Sequence, residues 1–157
     1  MTESTLAAIR RAAAGLLVVA ACGASACDER LRDVAGLGPS PNLQPTFSSI
    51  RTEILETVDL AGRSSCLTCH TDQGRTAAGN LNLRADPYAA LVNAPSRVKA
   101  GAVFVVPGNP DASYLVHKLE GRSDITGLRM PRNGPPYLTD GQILVIRRWI
   151  ENGAPNN

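Results

Sequence analysis

The residues best suited to chemistry stand together near the middle of the chain, as Cys66-Leu67-Thr68-Cys69-His70. Two thiols three residues apart fall on one side of a single helical turn, so both can add to the two vinyl groups on one edge of a porphyrin. His70, next along, is carried beneath that edge, where its imidazole can serve iron as an axial ligand. The string is the C-x-x-C-H signal for covalent attachment of a c-type haem. Other uses of the same residues fit less well. A zinc site needs a fourth ligand at ligand-like spacing, and the one other histidine is the distant His117. A thioredoxin-like pair wants a buried strand before it, whereas Ala61-Gly62-Arg63-Ser64-Ser65 precedes the motif. The cysteines at 22, 27, 66 and 69 could also pair as disulfides in an exported chain.

Cys22 has its own explanation. Arg10 and Arg11 precede an apolar stretch from Ala12 to Ala21 that is too short to span a bilayer, and small residues surround the cysteine. Val19-Ala20-Ala21-Cys22 resembles the lipobox of bacterial lipoproteins, which implies cleavage before Cys22 and a lipid on its sulfur. An ordinary signal peptide cut nearby, for instance after Ala26, is the alternative; an uncleaved helix packed in the core sits poorly with the paired arginines. Both cleavage readings imply export. The expected organisation is a lipoprotein signal peptide over 1–21, a tether over 22–46 that holds Cys27 and a Pro/Gly-rich run from Gly36 to Pro45, and one domain over 47–157. The domain would sit on the periplasmic side, held to the membrane by lipid, and Gly23 favours the outer membrane because it is no inner-membrane retention signal in the best-known sorting rule.

Composition limits the rest. A chain of 157 residues, 43% hydrophobic and 19% charged, suits one globular domain. Aromatics are only 4%, so the core lacks large flat side chains and something else has to fill that space. A net charge of +2 with no basic run gives no reason to expect a nucleic acid partner, and with Lys99 and Lys118 as the only lysines docking through a lysine-rich ring is not supported.

Short helices must position the motif. Phe47, Ile50, Ile54, Leu55 and Val58 share one face of a helix that Ser48 or Ser49 caps and Gly62 ends. Asp86-Pro87 opens a second helix running to about Val92. Val103–Val106 is either a short strand or extended chain. Asn109-Pro110-Asp111 starts a third helix that stops at Gly121, with Ala112, Leu115, Val116 and Leu119 on one side and His117 nearly opposite. Thr139-Asp140-Gly141-Gln142 is a capping box for a last helix, whose arc of Ile143, Val145, Ile146, Trp149 and Ile150 is to be buried while Arg147, Arg148 and Glu151 face water.

A helix before C-x-x-C-H, Met130-Pro131 in a later loop and a final helix with Arg147-Arg148-Trp149-Ile150 resemble class I c-type cytochromes. More narrowly, Gly79-Asn80-Leu81-Asn82-Leu83, the run from Val106 to Leu115, and Ile146 to Pro155 are similar to the planctomycete-type cytochrome c domain. The resemblance covers about residues 47–155. It implies an all-α fold of about four short helices around one covalently bound haem c, with the first and last helices crossing beside it, and it explains the shortage of aromatics, since the porphyrin becomes the large flat core element.

The resemblance assigns the distal axial ligand to the position of Met130. Residue types narrow the choice as well: beyond the initiator Met130 is the only methionine, and beyond His70 only His117 could compete. His117 could turn inward only by turning Leu115 and Leu119 outward; packing of Met130 on the haem edge is the blander alternative. Arg129, Arg132 and Tyr137 are candidates for the haem propionates or for plain loop roles. The reading that follows is a one-electron carrier between redox protein partners rather than an enzyme. A peroxidase-like enzyme or gas sensor with a labile distal ligand is the alternative, and a module with a purely structural haem is a third.

Overall fold

The structure, a computed structural model, describes residues 42–59 and 61–157. The signal peptide, Cys22, Cys27 and most of the expected tether lie outside those residues. Regular structure among the described residues is helical, with isolated β-bridges and no strand, so the described part of the chain is all-α.

Helix α1 (Phe47–Ile50) continues as a π turn (Arg51–Glu56) and ends there, well short of Gly62. Thr46, not Ser48 or Ser49, is its cap, accepting from the Ser49 N–H at 3.3 Å. Phe47, Ile50, Ile54 and Leu55 are buried as a helical face requires. Val58 is not; it is 60% exposed, because the π turn changes the period and the chain is extended from Thr57. What stops the helix is Asp59, whose carboxylate accepts from the Arg63 N–H at 2.9 Å and Nε at 3.1 Å and closes a turn through Gly62.

Helix α2 (Pro87–Leu91) starts as expected, with the Asp86 carboxylate accepting from the Ala89 N–H at 3.0 Å. Residues 103–106 are extended chain, joined only by single bridges from Val103 to Pro95 and Ser113 and from Val105 to Val92. The single helix expected from Asn109 is instead two pieces, a 3₁₀ turn (Pro110–Ala112) and helix α3 (Tyr114–Glu120). Ser113 separates them: its hydroxyl donates to the Asn109 carbonyl at 2.8 Å and accepts from the Val106 N–H at 2.9 Å, which holds the backbone extended. Ala112 is consequently exposed rather than part of the apolar side.

Helix α4 (Asp140–Glu151) carries the expected capping box of Thr139 and Gln142 and buries Ile143, Val145, Ile146, Trp149 and Ile150. Arg147, expected in water, instead bonds Asp111 at 2.6 Å and Glu120 of α3 at 3.0 Å, so it joins the two helices. The start of α1 meets α4 through Phe47 and Trp149, whose ring centroids lie 5.5 Å apart, with Tyr88 edge-on to Phe47 at 5.1 Å. The chain beyond α4 locks this cluster. The Trp149 indole N–H donates to the Pro155 carbonyl, the Tyr88 hydroxyl to the Ala154 carbonyl, both at 2.9 Å, and the Phe47 N–H to the Asn157 side chain at 3.0 Å.

Candidate functional site

Cys66–Thr68 form one 3₁₀ turn, a geometry in which residues three apart eclipse, and the Cys66 carbonyl accepts from both the Cys69 N–H at 3.2 Å and the His70 N–H at 2.9 Å. Both cysteines are free thiols. The turn borders a cavity of about 460 Å³, a volume usual for cofactor sites, walled by side chains such as Leu55, Leu81, Leu83, Leu91 and Phe104. Cys66, His70 and Met130 all line it, so residues far apart in sequence come together. Cys69 is exposed and does not belong to that lining.

The backbone that follows the motif orients His70. Its Nδ1 faces the Ala78 carbonyl at 3.0 Å; a carbonyl only accepts, so Nδ1 carries the proton and Nε2 is the nitrogen left for a ligand. Burial holds the imidazole below its ordinary range against the opposing pull of the Ala78 bond, with Arg75 and Lys118 adding to the lowering. The neutral ring is the form that ligates a metal. Burial likewise pushes the Cys66 thiol up, despite the nearby Arg63 guanidinium. That thiol donates to the Ile54 carbonyl at 3.8 Å, and Arg63 Nη1 reaches the same carbonyl at 3.3 Å. Arg63 is fully buried, pairs with Asp59, and has one nitrogen, Nη2, without a hydrogen-bond partner among the described residues.

The loop that carries Met130 is sewn to α3. The Met130 N–H donates to the Lys118 carbonyl at 2.9 Å, Arg129 Nε to the Leu119 carbonyl at 2.7 Å, and the Thr126 N–H to the Tyr114 hydroxyl at 2.9 Å. Lys118 Nζ returns the other way, to the carbonyls of Thr126 and Leu128. Asn133 ties the far end of the loop to Ser64, at 2.8 Å, just before the cysteine turn. Sequence reasoning missed Ala78, Asn133 and Lys118 in these roles. For Lys118 a signal existed, since a lone lysine on the helix nearest the methionine loop is conspicuous in an arginine-rich chain.

His117 lies outside the cavity lining. Its Nδ1 is 2.9 Å from the Asp124 carboxylate and its Nε2 2.7 Å from the Asp111 carbonyl, contacts that occupy both ring nitrogens. Of the residues considered for propionates, Arg129 is spent on Leu119 and on the Tyr137 ring, 4.3 Å away. Arg132 is exposed, lines the cavity and has no hydrogen-bond or ion-pair partner among the described residues. No group of three or more His, Cys, Asp or Glu gathers among the described residues as it would around a bare metal ion, and no described helix is long and apolar enough to cross a membrane.

One apolar cavity is thus bordered by a thiol, which can form a covalent bond, and by an imidazole and a thioether, which can each donate to a soft or borderline metal. No protein-family model, curated protein or solved structure matches the chain.

Proposed function

We propose that the protein is a monohaem c-type cytochrome that carries single electrons outside the cytoplasm, its helices forming a small cytochrome c fold around the cofactor. The observation that supports this reading is the convergence of Cys66, His70 and Met130 on one apolar cavity, with His70 already in the tautomer that leaves Nε2 available. Cys66 and Cys69 would hold haem c by adding their thiols across its two vinyl groups, each forming one C–S bond as the thiol proton passes to the vinyl carbon. His70 and Met130 would be the axial ligands. The group would supply a reversible one-electron change at iron, and ligation by both His70 and Met130 would let it occur with little rearrangement. The leucine walls exclude water, and the Ala78 carbonyl fixes the imidazole plane.

The deciding experiment is expression with working haem-attachment machinery. Haem should resist acid–acetone extraction and remain with the polypeptide by mass spectrometry, and Cys66→Ala or Cys69→Ala should leave at most one thioether. Recovery of apo-protein with a Cys66–Cys69 disulfide rules the proposal out. A fast reversible one-electron wave without carbon monoxide or peroxide reactivity separates the carrier from the enzyme or sensor reading. Cys22 is proposed as the lipid anchor: Cys22→Ser should release a soluble exported protein with the same haem spectrum, and a wild-type protein already soluble after export contradicts it.

A further inference from the structure

We propose that Lys118 is the positioning residue for Met130 and also a fixed positive charge on the cavity wall that favours the reduced state of the cofactor; this rests on the haem reading above. The two roles come from one placement. Lys118 lies on α3 and lines the same cavity as His70 and Met130. Its carbonyl accepts from the Met130 N–H at 2.9 Å, and its ammonium donates to the carbonyls of Thr126 and Leu128 on the approach to that methionine.

Residues 126–130 thus hang on Lys118 by three hydrogen bonds, one through its backbone and two through its side chain. The backbone bond survives any substitution, but the side-chain pair does not. Gly127, between the two clasped carbonyls, has φ +73°, so the chain turns sharply where the lysine holds it. Arg129 and Tyr114 hold the same loop at other points, through the Leu119 carbonyl and the Thr126 N–H, so neither satisfies the two carbonyls that the ammonium binds.

The charge acts independently of the clasp. The ammonium sits at the cavity edge partly open to solvent, so its field is screened but not abolished, and reduction of iron would lower the positive charge facing it. Removing Lys118 should therefore loosen the thioether and lower the potential, whereas arginine keeps the charge and offers donors for the same carbonyls.

The test uses the full-length haem-loaded protein, imidazole as the probe ligand, and the far-red sulfur-to-iron band of the ferric form. Lys118→Leu, without hydrogen-bond donor, charge or metal-binding atom, should weaken the band, raise imidazole affinity by about tenfold or more, and lower the potential. Lys118→Arg should recover most of all three. If Lys118→Leu does not fold, Lys118→Gln serves: it retains an amide donor without the charge, so the potential should still fall. A Met130-dependent band in the wild type, with all three readouts unchanged on loss of Lys118, overturns this inference alone. Absence of covalent haem or of that band in the wild type overturns the reading beneath it.

Discussion

At the scale of single residues the contest for the distal position is between Met130 and His117, and their surroundings separate them. Met130 lines the cavity and its N–H is anchored to α3, while both ring nitrogens of His117 are engaged with Asp124 and Asp111 outside it. Met130→Ala in the haem-loaded protein should abolish the far-red band, lower the potential and open the iron to imidazole, and His117→Ala should leave the spectrum unchanged. The reverse pattern would transfer the ligand role to His117. Arg63 is the other decisive side chain. It is a buried cation with Asp59 as its one ionic partner among the described residues, so Asp59→Asn strands it at a cost of about 3–5 kcal/mol. Denaturant unfolding of the two proteins measures that difference; a loss below about 1 kcal/mol would mean that water reaches the guanidinium. The four-residue spacing of Asp59 and Arg63 was readable, but nothing in the string Ala61-Gly62-Arg63 announces a buried arginine, because burial is decided by what packs over it.

Among the elements, the buried arc of α4 and its capping box were legible, since both signals are local: buried residues recurring at helical period and a side-chain cap three residues from its partner; the ion pairs of Arg147 were not. The first helix was legible in its anchors and not in its length. Periodicity assumes 3.6 residues per turn, and the π turn over Arg51–Glu56 departs from that, after which the chain is extended from Thr57 and leaves Val58 in water. The break at Ser113 escaped for a related reason, because the hydroxyl serves a distant segment, residues 106–109, rather than its own helix. Gly121 shows local and tertiary demands coinciding. It ends α3 at φ +72°, and a Cβ there would stand 2.8 Å from Arg129 Cδ, the side chain that clamps the methionine loop. Gly121→Ala should thus cost about 1–2 kcal/mol from the left-handed backbone alone and more from the displaced arginine. Thermal unfolding reports the total, and weakening of the far-red band in the same variant shows that the displacement reaches Met130. Loss of stability with an unaltered band would confine the effect to the helix end.

Across the whole molecule, what brings the cysteine turn and the methionine loop to one cavity is the set of ties between segments remote in sequence: Asn133 to Ser64, Phe47 to Trp149, and the charge cluster that joins the 3₁₀ turn, α3 and α4. The motif residues could be read from the chain, but the ties could not, since each needs two segments whose proximity no spacing encodes. The charge cluster has a direct consequence for pH. Hydrogen bonds from Arg147 and then Arg122 hold the Asp111 carboxyl below its ordinary value, and the bond from Lys99, followed by that from His117, does the same for Asp124. A carboxyl depressed in the folded state adds stability that is complete above its unfolded value of about 4 and is lost as pH falls through the folded value. Asp111→Asn should therefore lower the urea midpoint at pH 7, and the gap from wild type should be smaller at pH 3, where the unfolded wild-type carboxyl is largely protonated and the advantage of the depressed folded one is partly gone. Both carboxylates face solvent, so added salt should narrow the pH 7 gap as well. A gap of equal size at the two pH values would show that Asp111 acts through packing or neutral hydrogen bonding, and that the arginine of α4 holds the helices together without its charge.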